Sequence, residues 1–224
     1  TELNAAVRNE PEASPRAIAR GHQKEKTGPL IFIFLDGVGL GVNDPAKNPF
    51  ARFATDFFPG HAGGSYKQPG ILLSTDAHMG IPGLPQSATG QTALFTGYNG
   101  PEILGRHVNG FPTFTLRPYF KEKNILKLMN DAGLNATLIN SYSSVYLKRL
   151  QHPRAERMLS ASSLMQKHSG KPYFTTDDYL QGKSLYMDMS NWFLRKHGLD
   201  IPLEPPFNNG RKLVKIAQGY DLVF

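Results

Sequence analysis

Hydrophobic and polar positions fall along this chain in patterns that name its elements. Leu30, Ile31, Phe32, Ile33, Phe34 and Leu35 form an unbroken apolar run of six residues. A run that short, apolar on both faces, predicts a buried interior strand of a parallel sheet. It stops at Asp36-Gly37-Val38-Gly39-Leu40-Gly41, a glycine-rich loop. Ile125, Leu128, Met129 and Ala132 recur at helical spacing. Gly133 ends that helix, and Leu134 to Ile139 resumes as a strand. The same step returns near the end, where Leu213, Val214, Ile216 and Ala217 lead through Gly219 to Tyr220-Asp221-Leu222-Val223-Phe224. Helix, glycine and short apolar strand make the repeating step of a parallel sheet. The pattern therefore predicts an α/β fold with a mainly parallel central sheet flanked by helices.

Other segments are less regular. Residues 1–28 are polar, carry mixed charge and include Pro11, Pro15 and Gly28, which reads as a flexible arm before a domain at 29–224. Residues 42–86 are rich in Gly and Pro, with Ile71, Leu72 and Leu73 as a short strand. Pro82-Gly83-Leu84-Pro85-Gln86-Ser87 approaches a helix from Ala88 to about Thr96, with Ser87 at the N-cap position and Gly97 at the stop. Residues 141–208 are irregular, hold one helix near Asp188–His197, and read as a small cap inserted between sheet elements. The chain ends at Phe224 within an expected core strand, which suggests a portion of a functional unit, incomplete at its C-terminus.

Composition narrows the chemistry. With 224 residues, 40% hydrophobic and 19% charged, the chain has the make-up of a folded domain with a sizeable core. It has no cysteine, so disulfides, thiolate metal sites and cysteine nucleophiles are excluded. Any metal must be held by oxygen and histidine. No stretch approaches the roughly 20 apolar residues of a membrane span. No signal or transit pattern opens the chain, so a cytoplasmic location is expected. The net charge is +7, and residues 101–157 hold nine Lys and Arg against four Asp and Glu. The basic residues are scattered rather than massed, so a small anionic substrate is expected and not a nucleic acid.

Two positions stand out for chemistry. Asp36 directly follows the expected strand, at the carboxyl edge of the sheet, where a carboxylate is placed to hold a divalent cation or to cap the turn after it. The glycines run G-x-G-x-G after the acid, which does not fit dinucleotide binding. Ser87 opens a helix, whose unpaired N–H groups and dipole favour phosphate and ease loss of the hydroxyl proton. Serine is equally a favoured N-cap in any helix. The G-x-S-x-G elbow is absent. Arg106 and His107 lie in the basic stretch and read first as a surface loop pair, with contact to an anionic substrate as the other reading. Asp76 and His78 read first as turn chemistry, with reach toward a metal region as the other reading. Asp188 and Asn191 read as helix-start residues, and Trp192 and Phe193 as core or cap packing.

Taken together, Phe34-Leu35-Asp36-Gly37-Val38-Gly39-Leu40-Gly41 and Ser87-Ala88-Thr89-Gly90-Gln91 resemble the first metal-binding loop and the nucleophile segment of the alkaline phosphatase superfamily. The branch they are most similar to holds cofactor-independent phosphoglycerate mutase and phosphopentomutase. The longer stretch Gly83–Gly97, Gly105-Arg106-His107, Gly110-Phe111-Pro112 and Tyr220–Phe224 resemble an uncharacterised metalloenzyme subgroup. The resemblance spans about residues 30–224. It implies two divalent metals, zinc or manganese, with Asp36 as a metal ligand and Ser87 as a metal-bound nucleophile for phosphoryl transfer. Gln91 stands where the mutases have His, so mutase activity is not implied. The Asp and His ligands that follow the last strand in the family lie beyond Phe224. The expectation is therefore a portion of a two-metal phosphotransferase or phosphate-ester hydrolase, inactive in isolation, whose missing ligands come from another segment or chain. The rival expectation is a non-catalytic binding or assembly subunit on the same fold.

Overall fold

The structure is a computed structural model, and it describes residues 28–53, 71, 73, 75–152 and 154–224. Residues 1–27 of the expected arm, and Leu72 of the expected short strand, lie outside the described residues. The chain divides into two compact units. One comprises residues up to Phe32, Lys123–Pro153 and Met165–Phe224; the other comprises Ile33–Glu122 and Arg154–Leu164. The segment 141–208, expected as an inserted cap, belongs mostly to the first unit and contributes 154–164 to the second.

The first unit is built on a small parallel sheet. Strands β1 (Leu30–Ile31), β2 (Ala136–Thr137) and β5 (Leu222–Val223) pair in the order β1-β5-β2, with Leu222 opposite both Leu30 and Ala136. Strands β3 (Ser141–Tyr142) and β4 (Phe174–Thr175) form a second parallel pair. Leu222 and Val223 are fully buried, as a central strand of a parallel sheet requires. Behind the sheet, Val223 packs with Ile139, Leu185 and Ala217, joined by Leu213 and Ile216 of the helix Pro206–Ala217. The helix Ile125–Asp131 lies where the sequence pattern puts it, but it buries Leu126 while Leu128 and Ala132 of the expected stripe are exposed, and strand β2 covers only Ala136–Thr137 of the expected Leu134–Ile139. The Asn130 side chain ties them together, donating to the Ala136 carbonyl while accepting the Ala136 N–H.

The first strand corrects the sequence reading. Leu30–Leu35 is not an interior strand: regular pairing covers only Leu30 and Ile31, at an edge among the described residues, and Leu30, Ile33 and Leu35 are exposed. The physical reason is the hydrogen-bond supply. Leu30 and Phe32 donate to Asp221 and Val223, and after Phe32 the chain leaves the sheet for the second unit. Ile71 and Leu73 are exposed and carry no strand. Of the two readings for Trp192 and Phe193, core burial does not hold, while Phe193 does pack, its ring stacked on that of the buried Tyr186. Both are exposed, with the Lys196 ammonium 4.7 Å from the Trp192 ring centre.

The second unit centres on the helix Ser87–Thr96, packed against helices Gly100–Leu104 and Arg117–Glu122. Its buried stripe is Ala88, Thr89, Thr92, Phe95 and Thr96. The threonine hydroxyls donate to backbone carbonyls of Gln86, Ala88 and Thr92, so they enter the core with their hydrogen bonds made. Gly100 makes the packing close: a Cβ there would stand 2.5 Å from the Thr89 carbonyl oxygen.

Candidate active site

Asp36 and Ser87 meet within the second unit. The Ser87 hydroxyl donates to Asp36 Oδ2 at 2.9 Å, across 51 residues of sequence. Local structure on both sides explains the meeting. Ile33 and Leu35 are exposed while Phe34 is half-buried, the alternation of extended chain. Phe34 packs edge-on against Phe95 of the helix that Ser87 opens, with ring centres 5.6 Å apart, which holds the segment leading to Asp36 against that helix. The chain then turns at Gly37, whose φ of 69° lies in the left-handed region. The carboxylate is exposed and the serine half-buried.

Ser87 is not the N-cap. The helix begins at Ser87 itself, with extended Gln86 in the cap position and no side chain closing the end. A backbone group does that work: the Val108 carbonyl accepts the N–H of Ala88 at 3.0 Å and of Thr89 at 3.4 Å. The serine hydroxyl is thereby left to donate to Asp36. The same strap revises the expected phosphate cradle, because two of the first helical N–H groups are already taken. The dipole still favours negative charge at Ser87.

The strap carries the two other expected residues. Arg106 is exposed. The half-buried His107 sets its Nε2 3.0 Å from the Ile81 carbonyl oxygen, which requires a proton on Nε2. Its Nδ1 is buried with no hydrogen-bond partner. In the neutral ring that atom is an acceptor, so His107 can donate to an anion only as imidazolium. His78 lies beside it with ring centres 6.3 Å apart. Asp76 accepts the His78 backbone N–H at 2.9 Å, and that bond holds its carboxyl below the ordinary value. The expected turn chemistry of Asp76 and His78 is therefore present, and the signal missed in the sequence was the pairing of His78 with His107.

Among the described residues, no three or more His, Asp or Glu side chains gather so as to hold a metal ion. One carboxylate and one hydroxyl in contact suit a single hard or borderline cation as part of its shell, not two cations. Asp188 serves as expected at a helix start, accepting the N–H groups of Asn191 at 2.8 Å and Phe193 at 2.7 Å. Asn191 stands at the N-cap position as expected, but its side chain makes no capping hydrogen bond. Its amide donates instead to the Tyr179 hydroxyl and the Pro202 carbonyl. No described helix is long and apolar enough to cross a membrane. No protein-family profile, curated protein or solved structure matches the chain.

Proposed function

We propose that this chain is a portion of an alkaline phosphatase-like phosphotransferase or phosphate-ester hydrolase with Ser87 as nucleophile. The observation that carries the reading is the 2.9 Å hydrogen bond from Ser87 to Asp36, which joins the two segments that bear the resemblance. Asp36 and Ser87 would hold one cation between them, and the remaining ligands of a two-metal centre would come from another segment or from a partner chain. When bound, divalent cations lower the hydroxyl pKa and neutralise charge on the transferring phosphoryl group.

The chain's own residues do the rest. Asp36 fixes the Ser87 rotamer and receives its hydroxyl hydrogen, so that a lone pair on Oγ is free to attack phosphorus. The Oγ–P bond forms as the bond from phosphorus to the leaving alkoxide breaks, and the alkoxide takes up, by way of solvent, the proton that Asp36 received; water or an acceptor alcohol then attacks phosphorus, the P–Oγ bond breaks, and Ser87 recovers its hydroxyl with the proton the attacking molecule gives up. The helix dipole adds on the order of 1 kcal/mol toward the serine oxyanion, less than one pKa unit. Because Val108 closes the Ala88 and Thr89 N–H groups, the anionic substrate must find its charge partner elsewhere, and Arg106 on the same strap is that partner.

The test is turnover of an aryl phosphate with zinc or manganese. The 224-residue chain alone should show no appreciable turnover. Chain supplemented with the missing ligand segment should turn over, and Ser87→Ala should abolish it. Robust turnover by the chain alone would overturn the incomplete-site reading. A completed protein that folds, assembles and stays inactive would overturn the catalytic reading in favour of a binding or assembly role.

A further inference from the structure

Asn-Gly occurs three times in this chain, at Asn99-Gly100, Asn109-Gly110 and Asn209-Gly210. The pair has a chemistry of its own. Glycine carries no Cβ, so its backbone nitrogen can approach the side-chain carbonyl carbon of the preceding asparagine and close a five-membered ring. In the sequence the three pairs are equivalent, and the fold makes them unequal. Asn99 is held at both ends of its amide: Oδ1 accepts the Glu102 N–H at 3.2 Å, and Nδ2 donates to the Met79 carbonyl at 3.0 Å. Gly100 is buried, packed closely on the Thr89 carbonyl. Asn209 is 1% exposed, donates to the Met189 carbonyl at 2.7 Å and lies inside the helix Pro206–Ala217. Helical backbone directs the next N–H along the helix axis, away from the side chain.

Asn109-Gly110 differs on each count. Both residues are exposed and lie outside helix and strand. Gly110 has φ 78°, in the left-handed region. Its N–H donates to Asn109 Oδ1 at 2.7 Å. The carbon bearing that oxygen is one C=O bond of about 1.2 Å away from it, so it lies within about 4 Å of the Gly110 nitrogen. An exposed amide can turn about Cβ–Cγ and present the face of that carbon to the nitrogen without moving the carbon. Among the described residues, nothing stands within 4 Å of a Cβ placed on Gly110, so the ring has room to close.

We propose that Asn109 is a site of spontaneous deamidation, the Asn-Gly pair that the fold leaves free to react. Hydroxide takes the Gly110 amide proton, and the nitrogen attacks Asn109 Cγ. The N–Cγ bond forms, the Cγ–Nδ2 bond breaks, and Nδ2 leaves as ammonia with a proton from water, which restores the hydroxide. Water then opens the succinimide at either carbonyl, giving aspartate or isoaspartate. One water is consumed and one ammonia released, and nothing is oxidised or reduced. The product places a carboxylate where a neutral amide stood, and in the isoaspartyl form adds a carbon to the backbone. Both changes fall beside Val108, whose carbonyl closes the start of the Ser87 helix.

The experiment is incubation of the full chain in warm, mildly alkaline buffer, followed by peptide mass spectrometry and enzymatic methylation of isoaspartate. The peptide holding Asn109 should gain the mass of an amide-to-acid change, with the isoaspartyl form present, and native protein should acquire a more acidic species on ion exchange. Conversion at Asn109 should run at least about tenfold faster than at Asn99 or Asn209, whose surroundings must first open locally. In denaturant, where those surroundings are lost, the three rates should converge. Gly110→Ala should slow conversion severalfold, because a Cβ crowds the nitrogen and disfavours the positive φ. Asn109→Gln, one methylene longer, should give no product at that position. Equal rates at the three pairs in the native protein would overturn the proposal. So would an Asn109 that reacts only in denaturant, or a Gly110→Ala variant that reacts as fast as wild type.

Discussion

Two helices of this protein bury stripes of the same shape with different chemistry. In Pro206–Ala217 the less exposed positions are Asn209, Gly210, Leu213, Ile216 and Ala217. In Ser87–Thr96 they are Ala88, Thr89, Thr92, Phe95 and Thr96. Both follow the helical repeat. The first has Leu213 and Ile216 inside and Arg211, Lys212 and Lys215 outside, so hydropathy alone reveals its orientation. The second puts three threonines inside and leaves Leu94 exposed, so hydropathy alone picks out no face. What makes its stripe a core face is internal hydrogen bonding, and that is visible only once the helix exists.

The comparison is tested most strongly at Phe95, the one large apolar side chain in the threonine-rich stripe. It is 1% exposed and packs on Phe34, which leads the chain to Asp36. Phe95→Ala should cost about 3–5 kcal/mol by leaving a cavity. It should also loosen the approach of Asp36 to Ser87. Denaturant unfolding reads the first effect, and the NMR signal of the Ser87 amide reads the second. A cost below about 1 kcal/mol would mean that the threonine face is not a packed core.

Gly100→Ala probes the same face from the other side. The new methyl would stand 2.5 Å from the Thr89 backbone oxygen, and backbone cannot rotate away. The expected cost is about 1–3 kcal/mol, the range for overpacking. The same change at Gly210, where nothing lies within 4 Å of the added carbon, should stabilise the Pro206–Ala217 helix by about 0.4–1 kcal/mol. Thermal melts of the two variants should move in opposite directions.

This contrast also explains what could be read from the chain. The order helix, glycine, strand at 125–139 and 213–224 is legible in the apolar pattern, whereas the faces and lengths are not: Leu128 and Val214 are exposed, and the strands pair only over Ala136–Thr137 and Leu222–Val223. The run Leu30–Leu35 does not form the interior strand its pattern predicts, since an apolar run says nothing of how many partner carbonyls the sheet offers, and among the described residues Asp221 and Val223 supply them. Asp36 and Ser87 were legible as residues. The Val108 strap over the helix start was not, because it is made by a backbone carbonyl and leaves no side-chain signature.

Helix starts sharpen the point through pH. The helix Thr176–Leu180 opens with a capping box, in which the Thr175 hydroxyl accepts the Asp178 N–H while the Asp178 carboxylate accepts the Thr175 N–H. The Thr175 N–H and hydroxyl lower the Asp178 pKa. A lowered carboxyl pKa contributes stability that is present above the unfolded value of about 3.9 and is lost as pH falls through the folded value. Acid should therefore open the Thr176 helix, while the start of the Ser87 helix, closed by a carbonyl, has no such titration. Hydrogen exchange between pH 5 and 3, on the order of the unfolded carboxyl pKa, should show falling protection at Asp178 in wild type. Thr175→Ala should cost about 1 kcal/mol at neutral pH. Equal acid sensitivity at Ala88 would break the contrast.

The smallest expected effect on stability falls at Ser87, the residue with the largest expected effect on chemistry. Its hydroxyl makes one hydrogen bond, to an exposed carboxylate, and water replaces that bond freely when the hydroxyl is removed. Alanine is also the best helix former, and the adjacent N–H groups stay closed by Val108. Ser87→Ala should therefore change folding stability by no more than about 0.5 kcal/mol, the size of an ordinary surface substitution. A side chain that contributes so little to the fold is free to be spent on reaction. If Ser87→Ala instead destabilised the chain by about 2 kcal/mol, as loss of a buried charge-assisted bond does, the Asp36–Ser87 contact would be a structural clasp. The nucleophile assignment would then lose its support.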